Sequence, residues 1–547
     1  MPALPPISNI EEDVLWRIFD IIANLRREHD DDQDTEGEQS KQHPLTMIRN
    51  ISQVCFAWRR LAVESSSLWG SMIDMSVIGR VSESWRSLIM SRTKEATLFV
   101  YGNVDGKHEV TRCFFTGLLS SDWHRIAELT VVISSVDLFD NALWTIFWER
   151  PAVHLTNFAV TFQNSSPSEL ATVVPRDGIP FRNYAPSLKA FHTIEFNISA
   201  QATWIPGLRE LTLCSHLSAI QVLDLLSRIP RLEVLYILGK GNHLGNIHNF
   251  PSSTTGSLRR ITLPSLRRLH ISSSFQACST LLSYIHNPHD TFSYLRAICT
   301  NRSIDDEIML EDIKSFIPVL TTYAQRFLVS VRLTGIGIVM ALGYFGITFD
   351  HLRSFNGSQR SRQSAIHILN NRRFPSTSHS LLIKALSTCN LSAVKTLTLT
   401  TTSGKGIDST DPNFLSFILA LTGVETLIIP EASVQLLNDI ECDVSIIFPS
   451  LHTLRLDVLS RRVSLRLDES IELFLSRRVA VGIPVAVLDI SKFVSGFEEK
   501  MNWVFLDSIK GLTVVWTVDK VTMEYICGTG DPDMLNFSNT HNNMPSK

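Results

Sequence analysis

Pro206–Leu213 reads PGLRELTL, Pro230–Ile237 reads PRLEVLYI and Pro264–Ile271 reads PSLRRLHI. One phrase, L-x-x-L-x-L behind a proline, underlies all three. It recurs as PSLKAFHT from Pro186, SAVKTLTL from Ser392, TGVETLII from Thr422 and PSLHTLRL from Pro449. Weaker copies are HRIAELTV from His124, LTNFAVTF from Leu155 and VAVLDIS from Val485. The first leucines at 188, 208, 232 and 266 stand 20, 24 and 34 residues apart, an irregular period within the range of strand-plus-helix repeats.

The end of each phrase alternates apolar and polar residues, the period of a half-buried strand. Between phrases, Ser218–Ile229 (SAIQVLDLLSRI) and Asn413–Gly423 (NFLSFILALTG) carry helical spacing. One strand and one helix cannot close a core, so neighbouring units must stack. The expected class is therefore α/β, with an irregular solenoid over 124–515 and a curved parallel sheet on its inner face. Residues 272–391 show the phrase only as SYLRAI and DHLRSF.

Composition agrees with a large folded chain: 547 residues, 44% hydrophobic, 19% charged, formal net charge −4. A basic excess of the kind nucleic-acid binders carry is missing. The eight cysteines form no CxxC pair, so zinc-ribbon and thioredoxin-type sites are not expected, and buried free thiols in a reducing compartment are. No basic segment precedes the first apolar stretch, so no secretory leader is expected. Leu333–Phe349 (LTGIGIVMALGYFGITF) is uncharged and sits at the lower limit of a membrane span. Inside a repeat array it is expected to be buried core. GxSxG, HExxH and GxxxxGK[ST] do not occur. Gly239–Gly245 (GKGNHLG) is read as an inter-repeat loop, and the recurring Arg-Arg pairs as solvated rim charge. Neither an enzyme nor a cofactor or metal is expected.

The N-terminal region differs. SNIEEDVLWRIFDIIANL, Ser8–Leu25, places Ile10, Val14, Ile18 and Ile22 four apart with Leu15 and Phe19 alongside, a helix face. Ser8 and Glu11 fit a capping box at its start. Arg26–Pro44 has no apolar residue and is expected to be a disordered acidic insertion. Its alternate acids lack the glycine and glutamate of a calcium loop. Helical spacing resumes with Ile48, Ile51, Cys55, Trp58 and Ala62, and Leu68-Trp69 follow a serine break. So small a unit needs a partner or a neighbouring domain to complete its core.

EEDVLWRIF followed by VCFAWRRLAVESSSLW (Val54–Trp69) resembles the F-box. With the repeats, the chain is similar to F-box plus leucine-rich-repeat proteins of the fungal group. Leu4-Pro5 lie further upstream than the family's Leu-Pro, and the insertion parts the first two helices. The resemblance implies a small all-helical F-box at 1–75 (26–44 inserted), a connector at 76–123, the solenoid, and a largely disordered C-terminal segment at 516–547. It implies a substrate receptor that docks a Skp-type adaptor, and through it a cullin–RING ubiquitin ligase, in the cytoplasm or nucleus. No nucleic-acid or membrane partner follows from it. Adaptor contacts would fall to Leu4, Pro5, Ile10, Val14, Leu15, Ile18, Phe19, Val54, Cys55, Trp58, Leu68 and Trp69, with the two indoles as anchors. An interaction scaffold that does not engage the ligase is the alternative.

Positions three, five and seven of each phrase are expected to face a protein substrate. Among them are Glu210, Thr212, Val234, Tyr236, Arg268, His270, Thr396, Thr398, Arg455 and Asp457. Tyr236, Arg268, His270 and Arg455 are the expected contacts, because aromatic and Arg side chains dominate binding hot spots.

Overall fold

The computed structural model describes residues 10–24, 43–134, 139–163, 178–193, 196, 198–214, 217–238, 259–287, 294–301, 305–329, 333–355, 358–370, 373–375, 377–401, 407–441, 446–457, 467–494, 503–518 and 521–535. It is a mixed α/β chain that divides into two compact units. The first is Met1–Lys240 with Thr262–Leu266, the second Gly241–Ile261 with Arg267–Lys547.

The first unit opens with short helices: α1 (Glu12–Asn24), α2 (Pro44–Ile51), α3 (Phe56–Glu64), α4 (Ser66–Gly70), α5 (Met75–Ile78), α6 (Glu83–Thr93) and α7 (Glu109–Ser121). Its strands are β1 (Ile73–Asp74), β2 (Leu98–Val104), β3 (Ile126–Ile133), β4 (Asn157–Phe162), β5 (Ala190–His192), β6 (Glu210–Cys214) and β7 (Val234–Leu238). They pair in sequence order and all in parallel. The weaker phrases at His124 and Leu155 are β3 and β4, and those at Pro186, Pro206 and Pro230 are β5 to β7.

Register explains the phrase. Ile73, Val100, Leu129, Phe158, Phe191, Leu211 and Leu235 stand in one row across the strands, and all are fully buried. Each large apolar side chain removed from water contributes about 1.5–3 kcal/mol, so the row is a main source of stability. The third position of the phrase lies in this core too: Leu188, Leu208, Leu232, Leu266 and Leu451 are buried. That position precedes the strand and packs inward, so only positions five and seven keep to the half-exposed face.

The sheet begins earlier than expected. The segment 76–123, read as a connector, contains β2, and β2 pairs with β1 on one side and β3 on the other. The first helices and the first strands thus share one unit. Residues 25–42 of the insertion lie outside the described residues. His43 and Pro44, counted with that insertion, instead start α2: His43 Nδ1 accepts from the Leu45 amide at 3.2 Å. Its Nε2 is therefore the donor to Asp74 Oδ2, at 2.8 Å. Asp74 is fully buried and also accepts from the Ser76 amide.

The second unit has strands β8 (Arg268–Ser274), β9 (Tyr294–Asn301), β10 (Leu333–Ala341), β11 (Tyr344–Phe355), β12 (Ser358–Asn370), β13 (Thr396–Thr401), β14 (Thr426–Ile429), β15 (Thr453–Leu456), β16 (Val487–Asp489), β17 (Thr513–Val518) and β18 (Val521–Ile526). Phrases again supply parallel strands, β13 to β16, and β17, where no phrase was read, continues the same order. Leu397, Leu427, Leu454, Leu488 and Val514 form their buried row.

Residues 272–391 break the repeat rule. The spatial order there is β8-β9-β12-β11-β10-β13. β10, β11 and β12 form an antiparallel meander, so DHLRSF lies on a reversed strand rather than a repeat strand. Leu333–Phe349 is the first hairpin of this meander, and its Ile336, Ile338, Phe345 and Ile347 are buried. The 24-residue helix Asp306–Val329 carries the chain from β9 to β10. It rises about 36 Å, close to the ~40 Å reach of 12- and 13-residue strands β11 and β12.

The expectation of little structure beyond 516 does not hold up to 535. β17 and β18 pair antiparallel, and Asp507 accepts from Tyr525 Oη at 2.8 Å and from the Gly528 amide at 2.6 Å. Residues 536–547 lie outside the described residues. Among the described residues, no helix is long and apolar enough to cross a membrane.

Candidate protein-interaction site

α1 carries two apolar stripes. At 100° per residue, Leu15, Phe19 and Ala23 share one face and Val14, Ile18 and Ile21 another. The first stripe is buried against the neighbouring helices. The second is not: Val14 is 46%, Ile18 41% and Ile21 60% exposed. In and after the turn joining α2 to α3, Val54 is 54% and Phe56 78% exposed, and Cys55 is exposed as well. Apolar side chains this exposed, on two elements of one small helical group, mark a surface suited to a protein partner.

The expected anchors divide. Leu15, Phe19, Leu68 and Trp69 are core residues, so they support the helical group and do not face a partner. Trp69 is 1% exposed. It meets Trp85 edge-on at 6.4 Å, the Arg92 guanidinium lies 4.5 Å from its ring centre, and its indole N–H bonds Ala62. Its burial was not legible because Trp85 and Arg92 lie on α6, in the segment read as a connector. Trp58 is half-buried with its ring edge-on to Phe19 at 5.5 Å. Ile10 is half-buried just before α1, and Leu4 and Pro5 lie outside the described residues.

The half-exposed face of the first unit gathers a second group. Positions five and seven of the phrases at Pro186 and Pro206 are Ala190 and His192, Glu210 and Thr212. His192 contacts Thr212 Oγ1 through Nδ1 at 2.8 Å and Glu210 Oε2 through Nε2 at 3.2 Å. Tyr236 is in register with Thr212, and its ring lies 6.3 Å from the imidazole. His192 was missed, although the phrase offset that names Thr212 names it too.

In the second unit, Arg268 and His270 are half-exposed on β8. Arg455 is committed to an ion pair: its Nε stands 2.6 Å from Asp489 Oδ2. Burial would raise the Asp489 carboxyl, but hydrogen bonds from Ser491 and the Arg455 guanidinium together hold it below the ordinary carboxylate value. Lys492 pairs with Asp457 at 3.5 Å. Tyr236 belongs to the other compact unit, so the four expected contacts do not converge within one unit.

Arg478 is not a rim charge, whereas its neighbour Arg477 is exposed, as are Arg259 and Arg260. Arg478 is fully buried and donates to the Ile447 and Phe448 carbonyls at 2.9 and 3.1 Å. Burial pushes its guanidinium down to about 10. Arg477 donates to the Asn438 carbonyl at 2.6 Å. Arg461-Arg462, Gly239–Gly245 and the acids of 30–41 lie outside the described residues. Cys278, Cys299, Cys389 and Cys527 are buried thiols as expected, whereas Cys55 and Cys113 are exposed. Among the described residues no three His, Cys, Asp or Glu side chains gather as metal ligands.

No family model matches the chain, and no curated protein matches it.

Proposed function

We propose that the chain is a non-enzymatic substrate receptor: an F-box at the N-terminus docks a Skp-type adaptor, and an irregular leucine-rich-repeat solenoid with a curved parallel sheet holds a protein substrate. The ligase assembly would then act by proximity, raising the effective concentration of substrate beside a charged ubiquitin carrier. The observation that carries this reading is the exposed second stripe of α1, Val14, Ile18 and Ile21, with Val54 and Phe56 exposed after α2. These side chains belong to the same motif whose wording resembles the F-box. The fully buried Trp69 narrows the docking surface to this stripe and the edge of Trp58. It also favours the alternative, a repeat scaffold without adaptor docking, over a docking mode that needs both indoles.

Co-purification of the full chain with a Skp-type adaptor tests the proposal. The wild type is expected to retain adaptor and Ile18→Asp to lose it at least 10-fold with an unchanged unfolding midpoint. Absence of adaptor from the wild type, under conditions where a known F-box protein retains it, selects the scaffold reading.

A further inference from the structure

β18 is the last strand of the second unit. Among the described residues it pairs with β17 alone, antiparallel, from Thr513 opposite Ile526 to Val518 opposite Val521. Its other edge therefore presents backbone N–H and C=O groups without a ladder. Natural proteins blunt such edges with proline, lysine or a bulge. Val521–Ile526 reads VTMEYI and holds neither residue, and its register runs without a shift.

The side chains are as open as the backbone. Residues directly opposite across a ladder share a face, so Val521, Met523 and Tyr525 continue the face of Val514 and Trp516. Val514 and Trp516 are buried. On β18 that face is closed only at Tyr525, which is buried and whose Oη accepts from the Asp531 amide at 3.2 Å. Val521 is 59% and Met523 39% exposed. The apolar row that is covered on β13 to β17 is thus open on the strand that ends it. On the opposite face Thr522 and Glu524 are exposed, and Glu524 is the one charged residue of the strand.

We propose that this edge pairs with the same edge of a second copy of the chain, antiparallel, about a two-fold axis at Met523. An axis normal to the sheet keeps the apolar faces of both copies on one side, so each residue meets one of its own face. Centred on Met523, it sets Met523 against Met523 of the second copy, Val521 against Tyr525 and Thr522 against Glu524. Each of these pairs joins apolar to apolar or hydroxyl to carboxylate. Centred one residue later, it would set Glu524 against Glu524, and like charges directly opposite destabilise a sheet. This match of charge and of apolar rows with itself is what selects a second copy as the occupant. The chain's own residues beyond Leu535, NFSNTHNNMPSK, are rich in asparagine, which strands disfavour. Six residues extend about 20 Å. The contact therefore falls at the low end of specific interfaces, about 1,200 Å² or less, and a micromolar dissociation constant is expected. Nothing in the proposal depends on the receptor reading.

Sedimentation of the full-length chain over a micromolar concentration series is expected to show a monomer–dimer equilibrium. Met523→Lys sets two ammonium groups at the axis, and is expected to weaken the dimer at least 10-fold without moving the unfolding midpoint. A wild type that stays monomeric throughout the series overturns the proposal, as does a Met523→Lys chain that dimerises like the wild type. Cross-linking reads the axis itself. In a Cys55→Ser, Cys113→Ser background, mild oxidation of Met523→Cys is expected to give a disulfide-linked dimer. Residues directly opposite have Cα atoms about 4.5–5.5 Å apart, within disulfide reach. The two copies of Glu524→Cys would stand about 8 Å apart, beyond that reach, and should cross-link at least 10-fold less. Equal cross-linking of the two variants overturns the two-fold register.

Discussion

The indole N–H of Trp69 donates to the Ala62 carbonyl at 2.7 Å, across the turn from α3 to α4. That bond and the buried ring make Trp69 a keystone of the helical group. Trp69→Ala should cost about 3–5 kcal/mol in urea unfolding. Ile18→Asp, on the exposed stripe of α1, should stay within about 0.5 kcal/mol of wild type. Equal losses from the two would mean the stripe is also core.

Gly102 has φ +100, and a Cβ there would stand 2.4 Å from Asp74 Oδ1 and 2.6 Å from Ser76 Oγ. The buried Asp74 carboxylate links His43 to the Ser76 amide, and Ser76 Oγ accepts from the Asn103 amide at 2.8 Å. Gly102→Ala is expected to destabilise by about 2 kcal/mol or more, from backbone strain and the displaced carboxylate. Gly117, in α7, has nothing within 4 Å of its added Cβ. Gly117→Ala should stabilise by about 0.5–1 kcal/mol. Thermal unfolding of the pair reads out both signs.

Arg478 donates to two backbone carbonyls at a turn where Phe448 has φ +46. Arg478→Met would leave them without that donor, at about 1–3 kcal/mol each. Arg478→Lys should rescue only part of the loss, because a single ammonium cannot reproduce the fork. Chemical denaturation of the three chains at pH 7 gives the comparison.

Asp489 is held below the ordinary carboxylate value in the fold. A depressed acid stabilises above its unfolded value of about 3.9 and loses that contribution as pH falls through the folded value. The stability gap between wild type and Asp489→Asn should therefore be full at pH 5–7 and shrink below about pH 4. A gap that stays constant down to pH 2.5 would remove the Arg455 and Ser491 contacts as its source.

Much of the array was written in the phrase. Each strong copy became a parallel strand, because a leucine every second residue satisfies only a strand with one buried face. The meander was not legible: its strands have the same period of two, and periodicity carries no strand direction. Where the phrase is present, local sequence by itself determined which segments are strands and which face of each is apolar, since these follow from side-chain spacing along a few residues. Tertiary structure alone decided that Trp69 is sealed while Ile18 is bare, and that Arg455 is paired with Asp489. Burial and pairing depend on which distant side chains the folded chain brings alongside.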